Sequence, residues 1–61
     1  MELIRQEGRA DGLDVEVVSH GGREYEVSLV NPCGSVILET CMVTGLKNAH
    51  KLADEWAREL D

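Results

Sequence analysis

Polar and apolar residues alternate over Glu24-Tyr25-Glu26-Val27-Ser28-Leu29, the period of a strand with one buried and one wet face. Tyr25, Val27 and Leu29 share one side, and Glu24, Glu26 and Ser28 the other. Asp14-Val15-Glu16-Val17-Val18 has the same period and predicts a partner strand, with Gly21-Gly22 as the turn signal between them. A two-residue Gly-Gly loop pairs Val17 with Glu26, setting apolar against acidic on a shared face. A three-residue loop restores the match. With His20-Gly21-Gly22 as the loop, Val17 pairs with Tyr25 but Glu16 faces Glu26. With Gly21-Gly22-Arg23 as the loop, Val17 pairs with Val27 and the carboxylates avoid one another. Like charges directly opposite are destabilising, which favours the second register.

Asn31-Pro32-Cys33-Gly34 predicts a type I turn with Gly34 free to go left-handed. Val36–Val43 follows as a third strand, apolar on both faces. Such a strand is expected in a central position or with its second face covered. Gly8–Gly12 reads as a turn, and Glu2–Arg5 before it as either a short extra strand or a frayed arm. Leu46, Ala49, Ala53, Trp56 and Leu60 recur at helical spacing, widened by Leu52 and Ala57. Thr44 is the predicted N-cap, Trp56 a core anchor and His50 a boundary residue of the stripe. The expected fold is α+β: a three-stranded antiparallel β-meander packed against one C-terminal α-helix (β-β-β-α), with a short extra N-terminal strand. Residues 1–61 form a single domain.

Size and charge narrow the function. Sixty-one residues leave no room for a nucleotide-binding α/β unit or a two-lobed active site. Phe is absent, and Trp56 and Tyr25 are the only aromatics, so the core is aliphatic. Acids outnumber bases 12 to 6, a net charge of −6. This balance opposes direct contact with nucleic acid, where affinity comes from Lys and Arg neutralising phosphates, and with anionic membrane. Residues 1–43 hold eight acids and three bases, so the surplus belongs to the sheet half. Helix charges run against the helix dipole: Lys47 and Lys51 lie near its start, Glu55, Glu59 and Asp61 near its end.

No apolar run approaches the ~20 residues of a membrane span, and the N-terminus lacks the basic and apolar regions of a signal peptide. The sequence alone therefore predicts a cytoplasmic protein with no membrane partner. Cys33 and Cys41 form no CxxC, and only two His are present, so zinc spacing is missing. The thiols are expected reduced; a Cys33–Cys41 disulfide would require them to lie across a hairpin.

Candidate chemistry is sparse. His20 reads as an exposed turn residue, since a catalytic His needs an orienting carboxylate and a cleft. No nucleophile motif surrounds the hydroxyls, and the glycines form no phosphate loop. Asp14, Glu16, Glu24 and Glu26 could act as acid–base pairs only in a pocket that shifts their pKa values. The expectation is therefore no enzyme, no catalytic residue, no cofactor and no metal.

What remains is a small acidic protein-binding module. Its predicted contact surface is Glu16, Glu24 and Glu26, and its predicted partner a protein with a basic surface. A specific form is a phage-type inhibitor covering the nucleic-acid-binding surface of a CRISPR or restriction effector. Two alternatives stand beside it. One is a nucleic-acid-binding β-β-β-α domain, similar in element order to the integrase arm-binding and AP2-like domains, which press the sheet into the major groove. The other is a structural or oligomerisation domain of a regulatory or toxin–antitoxin pair. Open sheet edges recruit strands, so a homodimer through an edge, or through the apolar outer side of the third strand, is also expected.

Overall fold

The structure is a computed structural model that describes residues 1–58. Four strands precede one helix: β1 (Glu2–Gly8), β2 (Asp14–Gly21), β3 (Glu24–Asn31), β4 (Val36–Thr44) and α1 (Leu46–Ala57). The strands form one antiparallel sheet in the order β1-β2-β3-β4. The N-terminal strand is seven residues long, a full member of the sheet.

The β2–β3 pairing is set by the hydrophobic match. Val17 faces Val27, Val15 faces Leu29 and Glu16 faces Ser28, so no carboxylate opposes another. His20 is left out of the ladder as a bulge, and Gly21 pairs with Glu24. Gly21 and Gly22 both have positive φ (101° and 58°), which a β-carbon disfavours.

Val15, Val17, Val27 and Leu29 form the helix-side face of the central strands and are buried against Ala49 and Ala53. Both alanines are fully buried, and their small side chains let the helix backbone settle close to the sheet. Tyr25, Val43, Leu52 and Trp56 pack around this cluster, half-buried. Leu46 belongs to the stripe by spacing, yet at the first residue of the helix it is exposed. Leu60 lies outside the described residues.

Three local expectations change. The third strand of the meander, now β4, is neither central nor covered: it is a sheet edge and is exposed along most of its length. Of its apolar residues, Val43 packs against the core, while Val36, Ile37, Leu38 and Met42 are exposed. In the β3–β4 turn the left-handed residue is Ser35 (φ 52°) rather than Gly34, and the Asn31 side chain accepts the Cys33 amide at 3.1 Å. The helix begins at Gly45, with no side-chain cap bond; Thr44 contributes its carbonyl, which accepts from Asn48 Nδ2 at 2.8 Å.

Candidate functional site

The helix covers one face of the sheet and leaves the other open. The pairings assign the open face by alternation. Asp14 and Glu16 of β2 share it with Val30 and Ser28 of β3, and Val18 shares it with Glu26. Glu24 continues the same side of β3, opposite Thr44 of β4. The predicted residues Glu16, Glu24 and Glu26 thus come together on one surface, and Asp14 joins them. From Asp14 at one end of β2 to Glu24 at the far end of β3, the acids cross the hairpin diagonally. Six residues of β3 separate Glu24 from Val30, which lies opposite Asp14, so the stripe is about 20 Å long.

Several polar side chains hold the stripe in place. Gln6 of β1 donates from Nε2 to Asp14 Oδ2 and to Glu16 Oε2, both at 3.1 Å. A single amide thereby bridges two carboxylates of the same charge. His20 Nε2 lies 2.9 Å from Glu26 Oε1, and the Ser28 hydroxyl donates to Glu26 Oε2 at 3.0 Å. First the His20 contact and then the Ser28 contact hold the Glu26 carboxyl below its ordinary pKa. Ser28 is buried but satisfied, since its hydroxyl also meets Thr40 Oγ1 at 3.2 Å. His20 does have a carboxylate neighbour, but the pair lies at an exposed hairpin end rather than in a cleft.

The cations are elsewhere. Arg5 faces the helix beside Val17. Its guanidinium donates to His50 Nδ1 at 3.2 Å and to Asp54 Oδ1 at 2.6 Å, and also pairs with Glu7. Arg9 donates to the Trp56 carbonyl at 3.1 Å and pairs with Asp11 at 2.9 Å. That contact supplies positive charge at the helix C-terminus, which has no basic residue in its own last turn. Arg23 reaches toward the helix start: a β-carbon at Gly45 would lie 3.7 Å from its Nη2. Lys47, Lys51 and Arg58 lie on the helix or its C-cap. All six bases therefore belong to the helix side.

The protein is thus polar from its helix side to its open face. Among the described residues, the acids not on the open face are Glu2, Glu7, Asp11, Glu39, Asp54 and Glu55. They equal the six bases in number, so the net negative charge of the described chain is carried by the stripe.

Asp14 was legible as a stripe member, having the same parity as Glu16 in the alternating strand. Gln6 was not, because its role depends on the β1–β2 register, which a bulge between Leu3 and Arg5 shifts by one residue. Cys33 and Cys41 are free and exposed, with Cys41 opposite Val27 rather than Cys33. Among the described residues no enclosed pocket forms, no cluster of His, Cys, Asp and Glu is placed to hold a metal, and no helix is long and apolar enough to cross a membrane. Comparison with protein-family models, with curated proteins and with solved structures finds no match.

Proposed function

We propose that this protein is a non-enzymatic binding module that lays its acidic open face on a basic protein surface. The observation that carries the reading is the segregation of charge: Asp14, Glu16, Glu24 and Glu26 lie on one face, while Arg5, Arg9 and Arg23 are turned to the other. A row of carboxylates on a stiff, open sheet offers complementary potential to a basic groove and speeds encounter with it. The hydrogen bonds from Gln6, His20 and Ser28 hold three of the four carboxylates in position, which lowers the ordering cost on binding.

The sharper form is an inhibitor that occupies a nucleic-acid-binding surface, as a phage-type antagonist of a CRISPR or restriction effector would. A line of fixed negative charge can occupy a groove that otherwise receives a phosphate backbone. The same charge map disfavours direct binding of nucleic acid through this sheet, since the open face presents no base to a phosphate. Two exposed free thiols suit a reducing cytoplasm.

The test is capture from a bacterial lysate on the immobilised protein, at low and high salt. The expected result is a basic partner retained at low salt, released at high salt and displaced by duplex DNA. The double variant Glu16→Lys, Glu24→Lys should lose it while keeping the wild-type circular dichroism spectrum. Salt-insensitive capture, capture unaffected by the double reversal, or retardation of duplex DNA by the protein alone would each overturn the reading.

A further inference from the structure

The two edges of the sheet are built differently. On β1 the sequence Glu2-Leu3-Ile4-Arg5-Gln6-Glu7-Gly8 carries three charges and a bulge in its pairing with β2. Charges are a usual means of keeping an edge from recruiting another strand; both edges carry a register irregularity, so charge is what separates them. On β4 the sequence Val36-Ile37-Leu38-Glu39-Thr40-Cys41-Met42-Val43-Thr44 carries one charge in nine residues. Val36, Ile37, Leu38 and Met42 are each 50–59% exposed. Leu3 and Ile4 of β1 are exposed as well, but they stand among three charges, whereas the four apolar side chains of β4 stand beside one, which marks β4 as the edge for pairing.

We propose that β4 pairs antiparallel with β4 of a second copy, about a two-fold axis through Thr40, giving a continuous eight-stranded sheet. The register follows from the strand itself. Gly45 N–H donates to the Arg23 carbonyl at 2.7 Å, and alternation from there turns the amides of Val43, Cys41 and Glu39 toward β3. The backbone groups of Thr44, Met42 and Thr40 therefore point out from the edge. A pair centred on Thr40 uses these outward groups. It sets threonine against threonine on the axis, a favourable cross-strand pair.

The side chains agree with this register from Leu38 to Met42; beyond the irregularity at Leu38, Ile37 and Val36 change face and fall outside the matched segment. Met42 lies on the open face opposite Glu26. The irregularity between Leu29 and Val30 brings Ile37 opposite Val30 on that face, and alternation back from Glu39 puts Leu38 there too. Centring on Thr40 places Leu38 opposite Met42 of the other copy, twice by symmetry. Glu39 then faces Cys41 rather than another Glu39, so the only charge on the strand meets no like charge. A foreign strand is not needed to satisfy the edge, because β4 is complementary to itself.

The size of the contact sets its strength. A strand of nine residues is about 30 Å long, and a sheet with its side chains is about 10 Å thick. The two copies together cover on the order of 600 Å², below the ~1,000 Å² of a stable specific interface. The dimer is therefore reversible, forming in the micromolar range or above. An axis perpendicular to the sheet leaves both helices on one side and both acidic stripes free on the other. This inference does not rest on the proposed binding function.

Sedimentation equilibrium of the full chain from about 10 μM to 1 mM, in ~0.15 M salt to screen the net charge, tests it. The expected result is a closed monomer–dimer equilibrium ending at twice the chain mass of 6.7 kDa. Met42→Lys replaces both symmetric contacts at once and should weaken the dimer at least about tenfold, with an unchanged circular dichroism spectrum. Leu3→Lys, on the other edge, should leave it unchanged. In a Cys33→Ser, Cys41→Ser background, Leu38→Cys with Met42→Cys should give a disulfide-linked dimer on mild oxidation. A monomer at all concentrations overturns the proposal. So does open-ended growth, a dimer indifferent to Met42→Lys, or one disrupted by Leu3→Lys.

Discussion

The Arg5 guanidinium on the first strand donates to the Asp54 carboxylate on the helix at 2.6 Å, across 49 residues of chain. The same side chain reaches the Nδ1 and the carbonyl of His50. Arg9, just past the strand, holds the Trp56 carbonyl. No β1 side chain is part of the buried cluster, so β1 is attached by its ladder to β2 and by these two arginines. Arg5→Met should therefore loosen β1 selectively, at a cost of about 1 kcal/mol for partly exposed charged contacts. Hydrogen exchange should show faster exchange in Glu2–Gly8 with β3 little changed. Uniform loss of protection would mean that Arg5 supports the whole fold.

Acid should act through two of the same contacts. The Arg5 contact holds the Asp54 carboxyl below its ordinary pKa, and His20 and Ser28 do the same for Glu26. A carboxyl with a depressed folded-state pKa contributes stability above its unfolded value, and this is lost as pH falls through the folded one. The melting temperature should therefore fall below about pH 4, where free carboxyls begin to protonate. Asp54→Asn should lower it at pH 7 and flatten the acid limb. An acid limb unchanged in the variant would remove Asp54 from this role.

The alanine contact between helix and sheet should tolerate little. Ala49 and Ala53 are fully buried against a layer of valines and Leu29. Ala53→Leu adds volume where the helix already lies close, costing about 1–3 kcal/mol by overpacking, a large share of a 61-residue domain's stability. Denaturant titration should show a clear drop in midpoint. Ala57→Leu, at a half-buried position, should be milder.

The β3–β4 turn can be improved. Ser35 holds a left-handed backbone (φ 52°), which costs an L-residue with a β-carbon roughly 1 kcal/mol. Ser35→Gly should stabilise by about 0.5 kcal/mol after the added unfolded-chain entropy is subtracted. Gly34→Ala should change stability little, because a β-carbon there meets only Val36 Cγ2, at 3.4 Å. The opposite ranking in thermal melts would contradict the turn geometry.

Gly34 carries the left-handed expectation through its place in the turn. A type I turn anchored on Pro32 has that residue at its fourth position, but the loop here runs one residue further before Asn31 pairs with Val36. Thr44 is not the cap because β4 continues through it, which leaves the N-cap position to Gly45.

Local pattern determined much of this protein. Strict alternation in β2 and β3 dictated which residues face the helix, and shared-face matching together with avoidance of a Glu16–Glu26 pair selected the Val17–Val27 register. The helical spacing of Ala49, Ala53 and Trp56 set the covering face, and alternation put Glu16, Glu24 and Glu26 together. These outcomes depend on neighbours a few residues away, whose periodicity is written in the chain. Tertiary structure decided the rest. An apolar strand reads alike whether central or at an edge, and only strand order places β4 at the edge. Arg5 and Arg9 counted as sheet-half bases until the helix, distant in sequence, supplied Asp54 and the Trp56 carbonyl to bind them. Long flexible side chains choose their partners by proximity in space, so the clearing of positive charge from the open face appears only after folding.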